Sequence, residues 1–524
     1  MIRKRTALFM VFILAAALAA RAADDWFRDA VFYEVFVRSY YDSDGDGIGD
    51  LRGLIAKLDY LNDGDPATTS DLGVTALWLM PVSESPSYHG YDVTDYYGVE
   101  RDYGSMEDFK RLVAEAHQRG MRVIIDLVLN HSSDQHPYFI AAADPRHPKH
   151  DWYVWKTMMP SGWSQPWTPG SSPASVWHPL QAGKYYYGVF WGGMPDLNYR
   201  NPQVQAEMIR VGKHWLAAGA DGFRLDAVRY LFESGPGSGQ QDTEETRSFL
   251  SRFYAEMKAF RPDCYLVGEI WSDIDTVAPY LAEPRKLDSA FDFDLAAAIV
   301  GGVKDWNSGY INATQEVVLE TYPKAVSDSI FLTNHDQDRI ASVFGPNPEK
   351  LRMAASLLLT LPGTPYIYYG EEIGTPGTKP DENIRKPMLW SDDANAGFST
   401  GKPWNAPARV RPGTNVKAQD RDPGSLLSHY RSLIRMRSGH VALRRGGYQA
   451  VPLGNKTLYA YLRRHPQETL LVVHNFGREA SPELPLPAEH GVKKLRDIVS
   501  GSAADAVPAL AAYETRVFEV IQVP

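Results

Sequence analysis

The stretch RVIIDLVLNH, residues 122–131, is an apolar, β-branched run that ends in polar residues. A strand in a parallel sheet covered on both faces shows this nearly continuous apolar character instead of a simple alternation. Similar runs occur at 31–37, 74–80, 222–226, 265–269, 290–293, 329–334 and 364–369. Helical patterns separate several of them, at 105–119, 202–217 and 243–260. Eight strand candidates with intervening helices predict an α/β fold, a (β/α)8 TIM barrel. An open doubly wound sheet is the alternative, but no GxGxxG follows the first run.

The alternation stops between residues 130 and 202. That gap far exceeds the ~2–6 residues of an ordinary βα loop. It contains Trp152, Trp155, Trp163, Trp167, Trp177 and Trp191, six of the 13 tryptophans. An inserted subdomain after the third strand, residues 131–201, is therefore expected on the top face of the barrel. The barrel itself would comprise 23–130 and 202–440. The tryptophans suit stacking on sugar rings and the packing of a small core equally well. Beyond about residue 440 the long helical patterns end. Strand-like segments at 458–462, 469–473 and 516–521, separated by Gly, Asn and Pro, predict a C-terminal β-sandwich over 441–524.

Of the 524 residues 44% are hydrophobic and 23% charged, as in a globular protein, and the formal charge is −10. That balance excludes a generally basic nucleic-acid surface, so no nucleic-acid partner is expected. Cys264 is the only cysteine; its apolar neighbours predict a buried, inert thiol, and no disulfide within the chain is possible. Residues 1–22 read as a signal peptide. Arg3, Lys4 and Arg5 precede an apolar run of 14 residues at 7–20, and Ala20 and Ala22 flank Arg21 at the cleavage motif. The run is too short to cross a bilayer, so no stable membrane anchor is expected. Cleavage after Ala22 takes the charge to −14. A secreted or periplasmic, monomeric bacterial protein is the expectation.

Catalytic groups of such barrels sit at the C-terminal ends of the strands. Asp226 ends the fourth run, Glu269 the fifth, and Asp336 follows the seventh, so three carboxylates are expected to meet over one mouth. Arg224 lies two residues before Asp226. On a strand both face the same side, where the guanidinium can orient the carboxylate and keep it ionised. Carboxylates paired in this way are equipment for glycoside hydrolysis.

DLVLNH (126–131), GFRLDAV (222–228), GEIW (268–271) and FLTNHDQDR (331–339) resemble, in order and spacing, the four signature regions of the α-amylase superfamily, glycoside hydrolase family thirteen. MPDLN (194–198) is similar to its fifth region, in the form found in exported α-amylases of the group intermediate between oligo-1,6-glucosidases and neopullulanases. The resemblance implies a retaining mechanism, with Asp226 as nucleophile, Glu269 as general acid/base and Asp336 as stabiliser of the transition state. It also implies that Tyr91, His131 and His335 contact the sugar, Tyr91 by stacking, and that Arg224 orients Asp226. Ala227 resembles the small residue of enzymes that cut α-1,4 bonds. The implied activity is an α-amylase acting on starch, glycogen and maltooligosaccharides. The alternative is an α-glucosidase or oligo-1,6-glucosidase acting on short α-glucosides. Non-enzymatic relatives lack the catalytic carboxylates, whereas all three are present here.

Residues 42–50, DSDGDGIGD, alternate carboxylates at Asp42, Asp44, Asp46 and Asp50, with the Ile48 carbonyl between. Such a density of oxygen ligands selects a hard cation, Ca2+. The twelfth position is Gly53 and not the bidentate Glu of an EF-hand. The loop resembles instead the calcium loop after the first strand in relatives near the oligo-1,6-glucosidases.

Overall fold

The computed structural model describes residues 25–167, 174–324 and 326–521; the segment read as a signal peptide lies outside them. Eight parallel strands form the barrel: β1 Phe32–Val35, β2 Ala76–Leu79, β3 Arg122–Val128, β4 Gly222–Asp226, β5 Tyr265–Gly268, β6 Ser289–Ala290, β7 Ser329–Phe331 and β8 Thr364–Tyr368. They run in the order β6-β5-β4-β3-β2-β1-β8-β7. A parallel bridge between Phe291 and Ser329 joins the two ends.

Each strand divides its residues between two cores. Phe32, Trp78, Ile124, Tyr265, Val267, Phe331 and Tyr366 fill the barrel interior. Tyr33, Val35, Leu77, Leu79, Val123, Ile125 and Leu266 pack outward in the core that includes the helices. By the period of two, Glu34 and Asp126 therefore point into the barrel beside Phe32 and Ile124. Arg224 is in register with both Asp126 and Val267 and shares that interior face.

The helices begin where side chains can satisfy their free N–H groups. Ser105 and Asp108 form a capping box on α1, Met106–Gln118. Asn201 caps α2, Pro202–Ala218, and Thr243 caps α3, Glu244–Phe260. The run expected as a sixth strand at 290–293 divides differently. The strand ends at Ala290, and Asp292 caps α4, Phe293–Asp305, by accepting from the Leu295 N–H at 2.7 Å. A strong cap at Asp292 overrides the apolar character of Phe293, while Phe291 keeps its parallel bridge to Ser329.

Between β3 and α2 lies a small three-stranded sheet of Trp155–Lys156, Lys184–Tyr187 and Trp177–Gln181, in that order. Antiparallel bridges His131–Asp196 and Tyr153–Leu197 tie the two ends of this segment together at the barrel top. Trp152 and Trp177 are buried, Trp163 packs edge-on against Trp177, and Trp155 stacks on Phe139. Trp167 and Trp191 are exposed.

The C-terminal region is a six-stranded antiparallel sheet, ordered Gly447–Ala450, Leu458–His465, Glu468–Asn475, Thr515–Val520, Leu495–Asp497 and Ala503–Ala504. Leu462, Leu471 and Phe518 face a layer containing Val492, Val507 and Leu510. Tyr461, Leu470 and Val472, on the opposite face, join the barrel's outer core. Among the described residues no helix is long and apolar enough to cross a membrane. Cys264 is buried, and burial pushes its thiol up to about 12.

Candidate active site

Asp226 is the last residue of β4, Glu269 follows β5 by one residue, and Asp336 lies in the turn after β7. All three line a cavity of about 300 Å³ with His89, Tyr91, His131 and Arg385. A larger cleft of about 650 Å³ lies between residues 341–352 and 409–426. None of the three strand-end carboxylates lines it, so the chemistry points to the smaller cavity.

Arg224 is the hub of the site. Its Nη1 lies 2.5 Å from Asp226 Oδ1 and 2.8 Å from Asp126 Oδ1, and its Nη2 lies 2.9 Å from Glu269 Oε2. One buried cation thus holds three carboxylates, which its planar fork can do and a point charge could not. Burial nevertheless outweighs this compensation for Asp226, whose carboxyl is pushed up to about 6; Arg224 opposes the shift, and Asp126 adds to it. Arg224 was expected to keep Asp226 ionised. It limits the rise, and at neutral pH the carboxylate form still prevails. Glu269 is raised by burial, again against Arg224, with the Asp226 and Asp336 charges reinforcing the rise. Burial thus raises both carboxyls, and the one guanidinium of Arg224 opposes both shifts.

Ala227 joins the two. Its backbone is left-handed, φ 50°, and its N–H donates to Glu269 Oε2 at 3.1 Å. Left-handed backbone disfavours β-branched side chains, which gives the small residue here a conformational reason.

Asp336 has the opposite environment. Burial alone would raise it, but His335 and Arg385 hold it well below the usual carboxylate range. His335 Nε2 lies 3.0 Å from Asp336 Oδ2, and Arg385 Nη2 donates to Asp336 Oδ1 at 2.7 Å. His335 is itself charged: burial would lower it, but Asp336 and Glu34 push it up to about 10. Its Nδ1 donates to Glu34 Oε1 at 2.6 Å. Tyr91 completes the network by accepting from His335 Nε2 at 2.6 Å and donating to Asp126 Oδ2 at 2.9 Å. The Tyr91 and His335 rings stack, with centroids 5.6 Å apart.

His131 is the neutral member. Burial, with the charge of His89, pushes it down to about 3. Its Nε2 is buried without a hydrogen-bond partner among the described residues, although the residue lines the cavity. An orphaned ring nitrogen of this kind is suited to a ligand hydroxyl.

The structure brings together every residue singled out for catalysis and sugar contact. Glu34, Asp126 and Arg385 were not assigned roles from the sequence. Glu34 and Asp126 carry a readable signal, a charge in the middle of an apolar strand run, which must find a buried partner. Arg385 lies in a polar loop and carries none.

Asp42, Asp44 and Asp50 converge on a second site, with one oxygen from each lying within 4.8 Å of the others. Asp46 lies outside this group, and its Oδ1 accepts the Ile48 N–H at 2.7 Å. The loop is clamped to residues 398–404. Ser399 Oγ donates to Asp42 Oδ2 at 2.6 Å, and the Trp404 N–H donates to the Gly47 carbonyl at 2.9 Å. Gly47 has φ +96°, and a Cβ there would meet the Lys402 carbonyl at 1.9 Å, so only glycine fits.

The sequence profile described as "Alpha amylase, catalytic domain" matches residues 34–446, and "Alpha-amylase SusG C-terminal domain" matches 458–517. The chain is 40% identical over 483 residues to alpha-amylase 3 of Dictyoglomus thermophilum, covering 91% of this chain and 90% of that protein. It is 32% identical to an oligo-1,6-glucosidase of Parageobacillus thermoglucosidasius, covering 90% and 94% respectively. Against a trehalose synthase/amylase of Mycobacterium tuberculosis it is 34% identical, covering 89% and 84%. The crystal structure of an alpha-amylase from H. orenii superposes with a TM-score of 0.81 at 38% identity, over 94% of this chain and 99% of that one.

Proposed function

The chain belongs to the α-amylase superfamily of glycoside hydrolases, and from that premise we propose that it is an α-amylase cutting internal α-1,4 bonds of starch, glycogen and maltooligosaccharides with retention of configuration. The observation that carries the reading is the single guanidinium of Arg224 holding Asp226 and Glu269 at one cavity. Asp226, ionised at neutral pH, attacks the anomeric carbon. Glu269 donates its proton to the departing glycosidic oxygen and then, as a carboxylate, takes a proton from the water that hydrolyses the glycosyl-enzyme. Asp336, kept ionised by His335 and Arg385, supplies fixed negative charge beside the positive charge that develops on the sugar. His131 and Tyr91 contact the sugar in this reading, His131 through its free ring nitrogen.

The Asp42–Asp50 loop fits a calcium ion, since three carboxylates within 4.8 Å offer acceptors only and repel one another without a cation. Asp42, Asp44 and Asp50 would hold it, whereas Asp46, expected from the sequence as a further ligand beside the Ile48 carbonyl, lies outside that group. Its contribution is to the stability of the loop clamped against residues 398–404. The N-terminal segment 1–22 supports export, and a monomer suffices for the site because every residue named above comes from one chain.

The experiment is a product chromatogram from soluble starch, maltotriose and isomaltose. Mixed maltooligosaccharides from starch are expected. Glucose released only from maltotriose or isomaltose, with starch untouched, would replace this reading with an exo-acting α-glucosidase or oligo-1,6-glucosidase, the specificity of one of the relatives above.

A further inference from the structure

Asp242 has left-handed backbone, φ 55°, although it is not glycine. Asp enters that region more readily than most residues, yet such conformations persist only where their surroundings enforce them, and they cluster at functional sites. Asp242 does not line the catalytic cavity, and no step of the mechanism uses it.

What enforces the conformation is Arg229, three residues after Asp226. The Asp242 N–H donates to the Arg229 carbonyl at 2.9 Å. Its carboxylate accepts from Arg229 Nε at 3.0 Å and from Arg229 Nη2 at 2.6 Å. Arg247 Nη1 donates to the Asp242 carbonyl at 2.5 Å, and Tyr280 OH donates to Asp242 Oδ1 at 2.8 Å. Arg229 and Tyr280 are both buried. A planar guanidinium gripped along one edge by a carboxylate has a single orientation.

In that orientation the remaining arm of Arg229 reaches the loop of the general acid. Its Nη1 donates to the Trp271 carbonyl at 2.6 Å. Trp271 lies two residues after Glu269, and its ring stacks on Phe293 with centroids 4.7 Å apart. The loops after β4 and β5 are therefore tied twice. The Ala227 N–H holds the Glu269 side chain, and Arg229 holds the main chain just beyond it. The general acid of a retaining glycosidase must be held at a fixed distance from the nucleophile, and small misplacements cost much of the rate.

We infer that Arg229 and Asp242 are positioning residues for Glu269: Asp242 sets the guanidinium, and the guanidinium sets the loop that carries the general acid. This deepens the proposed function and rests on it. The relay touches neither the substrate nor the reacting atoms, so its loss damages proton delivery more than substrate binding.

The test compares kcat/KM for maltoheptaose with that for α-maltotriosyl fluoride in wild type, R229M, D242G, their double variant, Y280F and E269Q, with melting temperatures recorded for each. Fluoride departs with little help from a general acid, whereas a sugar alkoxide needs the proton. Glycine takes left-handed backbone without strain, so D242G removes the carboxylate alone. For R229M and D242G the loss on maltoheptaose is expected to exceed that on the fluoride about ten-fold, carried mainly by kcat. The double variant should lose no more than R229M. Y280F deletes one hydroxyl and should show the same bias at about two-fold, which carries the test if the larger changes unfold the protein. Losses that are absent, or equal on the two substrates, overturn the positioning role, because a structural defect does not distinguish leaving groups. Losses that add in the double variant overturn the relay through Arg229. E269Q sets the full bias. An E269Q enzyme without any bias, or wild type inert on maltoheptaose, would instead defeat the underlying reading.

Discussion

His335 and Glu34, 301 positions apart in the chain, are joined inside the barrel by a 2.6 Å hydrogen bond from Nδ1 to Oε1. Both side chains are almost fully buried. Glu34 therefore fixes which ring nitrogen of His335 faces the cavity, where Nε2 reaches Asp336 and Tyr91. A buried carboxylate on β1, outside the catalytic cavity, thus joins Asp336 in raising His335.

Glu34→Gln removes that charge while keeping the shape. His335 is raised in the folded protein, so the stability it contributes is fully present below its unfolded pKa and is lost as pH rises through about 10. The variant is expected to be less stable than wild type by about 3 kcal/mol near pH 6.5, the cost of breaking a buried pair. The difference should shrink steadily toward pH 10. Denaturant melts of both proteins at several pH values check this, and a difference independent of pH would refute it.

Asp226→Asn should lower turnover more than about a thousand-fold, since an amide cannot attack the anomeric carbon. Glu269→Gln should fail on natural glucans but form the glycosyl-enzyme from substrates with activated aryl leaving groups, which need no proton. A pre-steady-state burst with the aryl substrate, followed by slow hydrolysis, is the expected trace. Equal loss on both substrate types would contradict the acid/base role.

The acid limb of the kcat/KM profile should fall near pH 6, the level to which burial pushes Asp226, as protonation removes the nucleophile. Arg224→Lys should move the limb upward. A single ammonium cannot span Asp126, Asp226 and Glu269, and a carboxylate left without its partner holds its proton more tightly. A limb that stays in place would show that Arg224 does not set the pair.

Chelation of calcium should lower the melting temperature, because an ion bound only by the native state stabilises it by mass action. Asp42→Asn and Asp50→Asn should reduce the response to added calcium, since each removes one of the three converging carboxylates. Protein verified as metal-free that melts at the same temperature would exclude a structural ion from this loop.

Several of these relationships could be read before folding. The runs at 122–129, 222–226 and 265–269 declared themselves as strands, and Asp226 and Glu269 as strand-end acids, because alternation and chain neighbours are local properties. The sixth strand was placed too far along the chain, since apolar character at Phe291 and Phe293 says nothing about the helix that Asp292 caps. Of the six tryptophans in the insertion, no local rule separates buried Trp177 from exposed Trp191.

The order of strands, the acids at their ends and the dense carboxylate loop were thus determined by the sequence alone, through periodicity and spacing. Barrel closure and register decided the rest: that Arg224 bridges three carboxylates, that Glu34 meets His335, that Arg385 returns from a distant loop to Asp336, and that the Trp191 ring lies against Gly193. Each of these depends on distances between segments that only the packed core sets. A side chain's charge state and orientation follow from its spatial neighbours, and in this protein most of those are remote in the chain.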